Sequence, residues 1–379
     1  MARAKATPLA RMGSCGVDWT KPESCDDIRN MKLVKMSMQV VAEKAGVSSM
    51  TVSRALRNHP SLPESTRRRI QKIAAEMGYR PNPMVSTLMA QLRGVRPQGG
   101  VATICFVTAY PDPAHWKDLS LNVHAFKGAQ MRADELGYDM EHFCLTEPGM
   151  TDQRANKILR ARGVAGLIIA PLPVPPPQID LTWDWFACAA IGYSMKAPVL
   201  HRAVNDQLAT VSTAYRSLGE LGYRRIGLAI RASDDERVNR RWVAGFSAEQ
   251  FYAPASERVP IMMTNDWRKG TFSKWFHKHR PDAVLCLDSA VKNWVEEEGF
   301  SVPKEVGVAS LHSDGSDIGL SGVAQHYERV GALALDLVVE QIHKNERGIP
   351  EAPKVVMAGG EWIMGNSTIS HIRERTVKA

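Results

Sequence analysis

The sequence predicts an N-terminal all-α module built on a helix-turn-helix, followed by a larger α/β domain with parallel sheets. Three observations carry this. Residues 41–58, VAEKAGVSSMTVSRALRN, place two short apolar-striped segments around one glycine. From about residue 101 onward, apolar strand-like runs alternate with helical stretches. Positive charge is confined to the first region: residues 1–100 hold 17 Lys and Arg against 7 Asp and Glu, and the remainder holds 31 against 33. A basic module joined to a near-neutral one points to a polyanionic partner for the first part alone, with a solvated basic tail as the alternative.

The elements follow in chain order. In QVVAEKAG, 39–46, Val40, Val41 and Ala45 share one helical face, and Gly46 suits the positive φ of a tight turn. Ser48 is placed to cap a second helix, about 49–57, whose Val52, Ala55 and Leu56 point inward. Its other face presents Ser49, Met50, Ser53 and Arg54. In such a motif the second helix enters the DNA major groove N-terminus first. A third helix fits 64–77, with Ile70, Ile73, Ala74 and Met77 as its stripe and Arg67, Arg68, Arg69 and Lys72 elsewhere on it. Those four basic residues read equally as a solvated face or as phosphate contacts. Gly78 and the two prolines of YRPNP end the helix. Pro97-Gln98-Gly99-Gly100 reads as a linker.

Beyond it, strands are expected at 101–108, 166–171, 187–193, 225–231, 283–287 and 306–312. Helices are expected near 118–136, 205–221, 238–252, 291–298 and 326–345. Near-continuous apolar strands imply parallel sheets covered on both faces, with ligands outside the strands' carboxyl ends. The proline-rich stretch 171–186 reads as a loop. Trp116, after the first strand, is placed either to stack on a ligand or to pack in the core. Arg240 and Arg241 read either as ligand contacts or as a solvated helix face.

With these residues in view, the chain resembles the LacI/GalR family of bacterial regulators. VAEKAGVSSMTVSRAL, then GYRPNP, then the spaced VSTLMA match its DNA-binding headpiece and hinge helix. LGYRRIGL, WVAGF, PDAVLCLD and VPKEVGVASL recur in the order of its effector domain. The resemblance implies a periplasmic-binding-protein-like pair of parallel-sheet subdomains around a cleft. The implied organisation is a disordered extension over 1–36, a headpiece over 37–80, a hinge helix and linker over 81–100, and an effector and dimerisation domain over 101–379. Within that domain the approximate subdomains are 101–203 with 323–355, and 204–322 with the C-terminal strand.

By the same resemblance Ser49, Met50 and Arg54 fall where bases are read. Arg54 can pair with guanine O6 and N7, and Met50 suits shape or a thymine methyl. Thr51 and Ser53 suit phosphate or capping contacts. Asn82 matches the asparagine opening the hinge segment, and Leu88 the leucine that wedges into the minor groove. At the effector site, Trp242 stands where the family often has an arginine, His312 replaces an acidic residue, and Asp288 matches a strand-end aspartate. The implied effector contacts are therefore Trp116, Arg240, Arg241, Trp242, Asp288 and His312, with a sugar-type ligand in doubt.

Other classes fit less well. No run of about 18 apolar residues suggests a transmembrane helix, and the basic start lacks the apolar core of a secretory signal. None of the 6 cysteines forms a CxxC pair or sits at zinc spacing, and Cys105, Cys188 and Cys286 lie in strand-like runs as small core residues. Neither a metal nor a cofactor is expected. GxSxG, HExxH, the phosphate-binding loop and the dinucleotide fingerprint are missing, and Asp314 and Asp317 read as solvated loop carboxylates, so an enzyme is not expected. The expectation is a ligand-responsive transcriptional regulator, read as a repressor. It would act as a cytoplasmic, nucleoid-associated homodimer on a pseudo-palindromic operator. The alternative is a soluble sugar-type binding protein whose DNA binding is secondary. Met31, Met36 and Met38 are candidate true starts.

Overall fold

The computed structural model describes residues 38–56, 62–77, 79, 102–313 and 319–372. Expectations for 1–36, Gly78, the hinge residues Asn82 and Leu88, the linker, and Asp314 and Asp317 lie outside them. The chain divides into two compact units, 1–81 and 82–379.

The first unit holds three helices: α1 (Met38–Ala45), α2 (Ser49–Leu56) and α3 (Glu64–Glu76). Val41, Ala42, Ala45, Val52, Ala55, Ile70 and Ala74 form its core. Such small side chains let the helices approach closely. Gly46 ends α1 at φ 65°, a left-handed conformation that a β-carbon disfavours. The Ser48 hydroxyl accepts a hydrogen bond from the Thr51 amide at 3.2 Å, capping α2. Two long side chains of α3 then tie the motif: Arg69 donates to the Ala45 carbonyl at 3.1 Å, and Gln71 to the Ala55 carbonyl at 2.8 Å. The carbonyls that helices leave unsatisfied at their ends are thereby used. Arg68 pairs with Glu64 at 2.5 Å. Arg68 and Arg69 therefore have structural partners within the motif.

The second unit carries two six-stranded sheets. The first has the order β11-β5-β4-β3-β1-β2, all parallel. Its strands are β1 (Thr103–Thr108), β2 (Asp139–Cys144), β3 (Gly166–Ile169), β4 (Ala187–Ile191), β5 (His201–Asn205) and β11 (Val355–Ala358). The second has the order β12-β10-β9-β8-β6-β7, parallel except for β12. It comprises β6 (Ile226–Arg231), β7 (Met262–Thr264), β8 (Ala283–Cys286), β9 (Gly307–Ser313), β10 (Ser321–Ala324) and β12 (Glu361–Ile363). The strand period of two splits each sequence run between two cores. Ile104 and Phe106 enter one core and Cys105 and Val107 the other; in the second sheet Ala283 and Leu285 oppose Val284 and Cys286.

Helices cover both sheets. In chain order they are α4 (Ser120–Leu136), α5 (Asp152–Ala161), α6 (Gln207–Glu220), α7 (Ala232–Arg237), α8 (Arg241–Tyr252), α9 (Lys269–His279), α10 (Ala290–Glu297) and α11 (Tyr327–Lys344). Helix α11 crosses α4 at backbone contact: a β-carbon on Gly331 would lie 1.8 Å from the Ala125 carbonyl oxygen. Among the described residues no helix is long and apolar enough to cross a membrane, and no group of acidic, His or Cys residues could hold a metal. Cys105, Cys144, Cys188 and Cys286 are buried and unpaired, and burial pushes the Cys105 and Cys286 thiols up to about 12.

The chain passes between the sheets three times: after β5, after β10 and between β11 and β12. Strand β10 pairs with β9, so the second passage falls at 325–326 and residues 323–324 belong with the second sheet. Likewise β5 keeps residues 204–205, and β11 keeps 356–358, with the first sheet. The passages are stitched together. Asn205 Nδ2 donates to the Gln325 carbonyl at 2.5 Å, Gln325 Nε2 to the Leu311 carbonyl, and the Asp206 amide to the Ala358 carbonyl at 2.9 Å.

Candidate nucleic-acid interface and ligand cavity

Helix α2 buries Val52 and Ala55 and leaves Ser49, Met50 and Arg54 exposed, Met50 by 64%. An exposed methionine on a short helix with so small a core costs solvation and gains nothing within the unit. The Thr51 hydroxyl lies 3.0 Å from that of Ser48, so it serves the cap, while Ser53 is half-buried on the flank. The predicted base-reading residues thus share one solvent face.

In the second unit a cavity of about 470 Å³ lies between the two sheets, at the carboxyl ends of their strands. Its floor is the pair of stitched passages, Asn205 and Gln325. The first sheet's side contributes Leu121, Tyr193 and Ser194, and the second sheet's side Arg231, Arg237 and Trp242. Ser120, Gln207, Asp234, His312 and Tyr327 complete the polar lining. The His312 ring pairs with the Tyr327 hydroxyl through Nδ1.

The predicted contacts separate here. Trp242 and His312 line the cavity. Arg241 reaches it indirectly: its guanidinium lies 4.6 Å from the centroid of the Tyr193 ring, with Arg202 5.4 Å from the same ring. Asp288 stands behind the wall and anchors Arg231 at 2.5 Å, while the Trp267 indole donates to the same carboxylate oxygen at 2.9 Å. Arg240 is exposed at φ 60° at the start of α8 and takes no part in the lining. Trp116 is the core residue of its two readings. It is buried, stacked on His142 at 4.4 Å and edge-on to Phe126 at 5.6 Å. The neighbouring Leu119, Ser120 and Leu121 reach the cavity instead.

Electrostatics on the Arg231 side follow from burial and pairing. Burial opposes ionisation at Asp288, but the Ala290 amide, the Trp267 indole and Arg231 outweigh it and hold its pKa below the usual carboxylate value. Asp234, 3.6 Å from Arg231, is shifted the other way, chiefly by burial. On acidification Asp234 therefore takes its proton first, and Arg231 keeps Asp288 through that window.

Tyr193, Gln207, Arg231, Arg237 and Tyr327 were not singled out from the sequence. They sit at the ends of strands and at helix termini, where no spacing marks them. Asp288 was the one available clue, since a strand-end aspartate implies a nearby cation.

A helix-turn-helix with an exposed second helix on one unit, and a two-lobed α/β domain around a polar cavity on the other, are the parts of a DNA-binding transcriptional regulator. Residues 37–82 match the family described as bacterial regulatory proteins, lacI family, and 215–368 match a periplasmic binding protein-like domain. The chain thus joins a lacI-family DNA-binding domain to a periplasmic binding protein-like domain. Among its relatives is the HTH-type transcriptional regulator MalR of Streptococcus pneumoniae serotype 4, 23% identical over 323 residues, covering 82% of this chain and 94% of MalR. The HTH-type transcriptional repressor CytR of Escherichia coli K12 is 23% identical over 342 residues, covering 82% and 91%. The fold is shared with the transcriptional regulator CelR in its cellobiose complex, at TM-score 0.50, 16% identity, and 88% and 100% coverage. It is shared equally with the Lac repressor bound to ONPG, at TM-score 0.50, 18% identity, and 88% and 99% coverage.

Proposed function

We propose that this regulator is a repressor that binds a pseudo-palindromic operator as a homodimer and releases or tightens on it when a small molecule enters the cavity between its sheets. It works where the DNA is, in the cytoplasm on the nucleoid. The observation that carries the reading is the exposed face of α2, where Ser49, Met50 and Arg54 stand free above a core that already satisfies the helix. CytR, a relative, is a repressor by name, and the CelR and Lac repressor structures hold cellobiose and ONPG. Arg54 reads a guanine, Met50 a methyl or a shape, and Thr51 and Ser53 serve the backbone side. Asn82 and Leu88 serve the hinge, a reading supported by the family match that ends at 82 and by the likeness of the sequence after it. In the cavity Trp242 and His312 touch ligand, and Arg241 and Asp288 hold the residues that do.

Selection of bound sequences from a random double-stranded DNA library, read out by gel shift on the full chain, tests this. An inverted repeat bound at least a thousandfold above random DNA is the expected result. Recovery of sequences with no shared pattern would reject it and favour a ligand-binding protein with incidental affinity for polyanions.

A further inference from the structure

The cavity's wall specifies a ligand class, on the reading that this cavity is the effector site. Two lining side chains are buried and yet leave a polar atom unmatched: Tyr193, 8% exposed, at Oη, and Gln207, 5% exposed, at Oε1. An amide oxygen only accepts, so the partner of Gln207 must be a donor. The natural state of buried polar atoms is to be matched, and a ligand hydroxyl or N–H supplies what is missing.

The charges point the same way. Arg231 is engaged by Asp288 and Asp234. Arg237, also on the wall, makes no ion pair or hydrogen bond among the described residues; its charge bears on Asp234, which Arg231 already serves. Arg202 donates only to the carbonyls of Gly192 and Met195. Arg241 meets the Tyr193 ring face, and its buried Nε has no partner. Of these three guanidiniums Arg237 alone is on the lining, where it shares the wall with Asp234, and none of the three has a carboxylate within ion-pair reach among the described residues. Asp206, the acid whose charge reaches Tyr193, is committed to the cap of α6 through the Ala209 amide at 3.0 Å.

We propose that the ligand is a hydroxylated carboxylate of the sugar-acid class. Its hydroxyls match Gln207 Oε1 and Tyr193 Oη, its carboxylate meets Arg237, and a C–H face lies against Trp242. One unengaged guanidinium fork fits one planar carboxylate. A phosphate dianion calls for more positive charge than the single unpaired guanidinium on the lining supplies, since Arg202 and Arg241 stand behind the Tyr193 ring.

The test is calorimetric titration of the full chain with D-gluconate, D-glucuronate, D-glucose and D-glucose 6-phosphate. At least one acid should bind, tenfold or more tighter than glucose and glucose 6-phosphate. Arg237→Gln should weaken that acid at least tenfold, and Arg237→Lys should recover part of the loss. The class is overturned if glucose or the phosphate binds as tightly as the acids, if Arg237→Gln binds them unchanged, or if none of the four binds. Leu121→Trp, which narrows the cavity, separates this failure from a deeper one. If it abolishes binding of a neutral sugar, the cavity stands and only the acid class falls. If binding survives it, the ligand sits elsewhere and the effector-site reading falls too.

Discussion

Arg54 stands exposed between two buried neighbours, Val52 and Ala55, so its backbone is fixed by packing that its side chain does not share. Its removal should leave the headpiece folded. Arg54→Ala is expected to lose about 1–3 kcal/mol on the selected operator and little on random DNA, because a bidentate base contact carries sequence while phosphate contacts do not. Equal losses on both DNAs, measured by titrated gel shift, would place Arg54 on the backbone. In the cavity, the adjacent arginines give a sharper comparison. Arg241 lies over the Tyr193 ring and Arg240 faces solvent, although their sequence contexts are nearly the same. Arg241→Ala removes a half-buried cation–π contact of about 1 kcal/mol and frees a ring on the cavity wall. Ligand affinity should fall several-fold in that variant and stay unchanged in Arg240→Ala. The reverse ranking by calorimetry would return Arg240 to the site.

Elements were legible in the sequence where burial was one-sided or complete. The helix periods of 39–57 and the apolar runs of β1, β6 and β8 show this. Strand β2, DMEHFC, is an edge strand whose exposed residues break the apolar run, so no strand was expected there. Strand β5, HRAVN, is wholly buried but opens on His201 and Arg202, which are satisfied by the Lys354 amide and by backbone carbonyls. The partner of His201 is 153 residues away, and pattern alone cannot supply it. Gly46 is the opposite case, since its role was readable and its geometry is plain. With φ at 65° and nothing within 4 Å of an added β-carbon, Gly46→Ala meets only backbone strain. It should cost about 1–2 kcal/mol in the headpiece unit alone. Differential scanning calorimetry should show the smaller transition moved down and the larger unmoved; a shift in both would mean the units unfold together. The hinge assigned to Leu88 gives the second prediction at this scale. An apolar wedge unstacks one base step and bends the duplex. Leu88→Ala should reduce the operator bend in a circular-permutation gel shift while ligand binding holds, and an unchanged bend and affinity would make Leu88 a linker residue.

Over the whole molecule, the fold separates reading from sensing. Three passages of chain join the two sheets, stitched by hydrogen bonds through Asn205, Gln325 and Ala358, and Asn205 and Gln325 form the floor on which a ligand would rest. A ligand bridging Tyr193 on one lobe and Arg237 or Trp242 on the other binds one relative setting of the lobes more tightly. That difference in affinity is the most by which it can shift the equilibrium. For the shift to reach DNA, two copies must act on one operator. A single eight-residue reading helix buries too little DNA surface for a specific complex, whereas two copies related by two-fold symmetry double the contacts and fix the spacing of the half-sites. The spacing is therefore the strongest test of assembly. Inserting about half a helical turn, ~5 base pairs, between the half-sites puts one of them on the opposite face of the duplex. Affinity should collapse to that of an isolated half-site, and a further ~5 base pairs should restore part of it. If affinity is indifferent to the insertion, each chain binds alone, and the ligand's effect must then act within one chain.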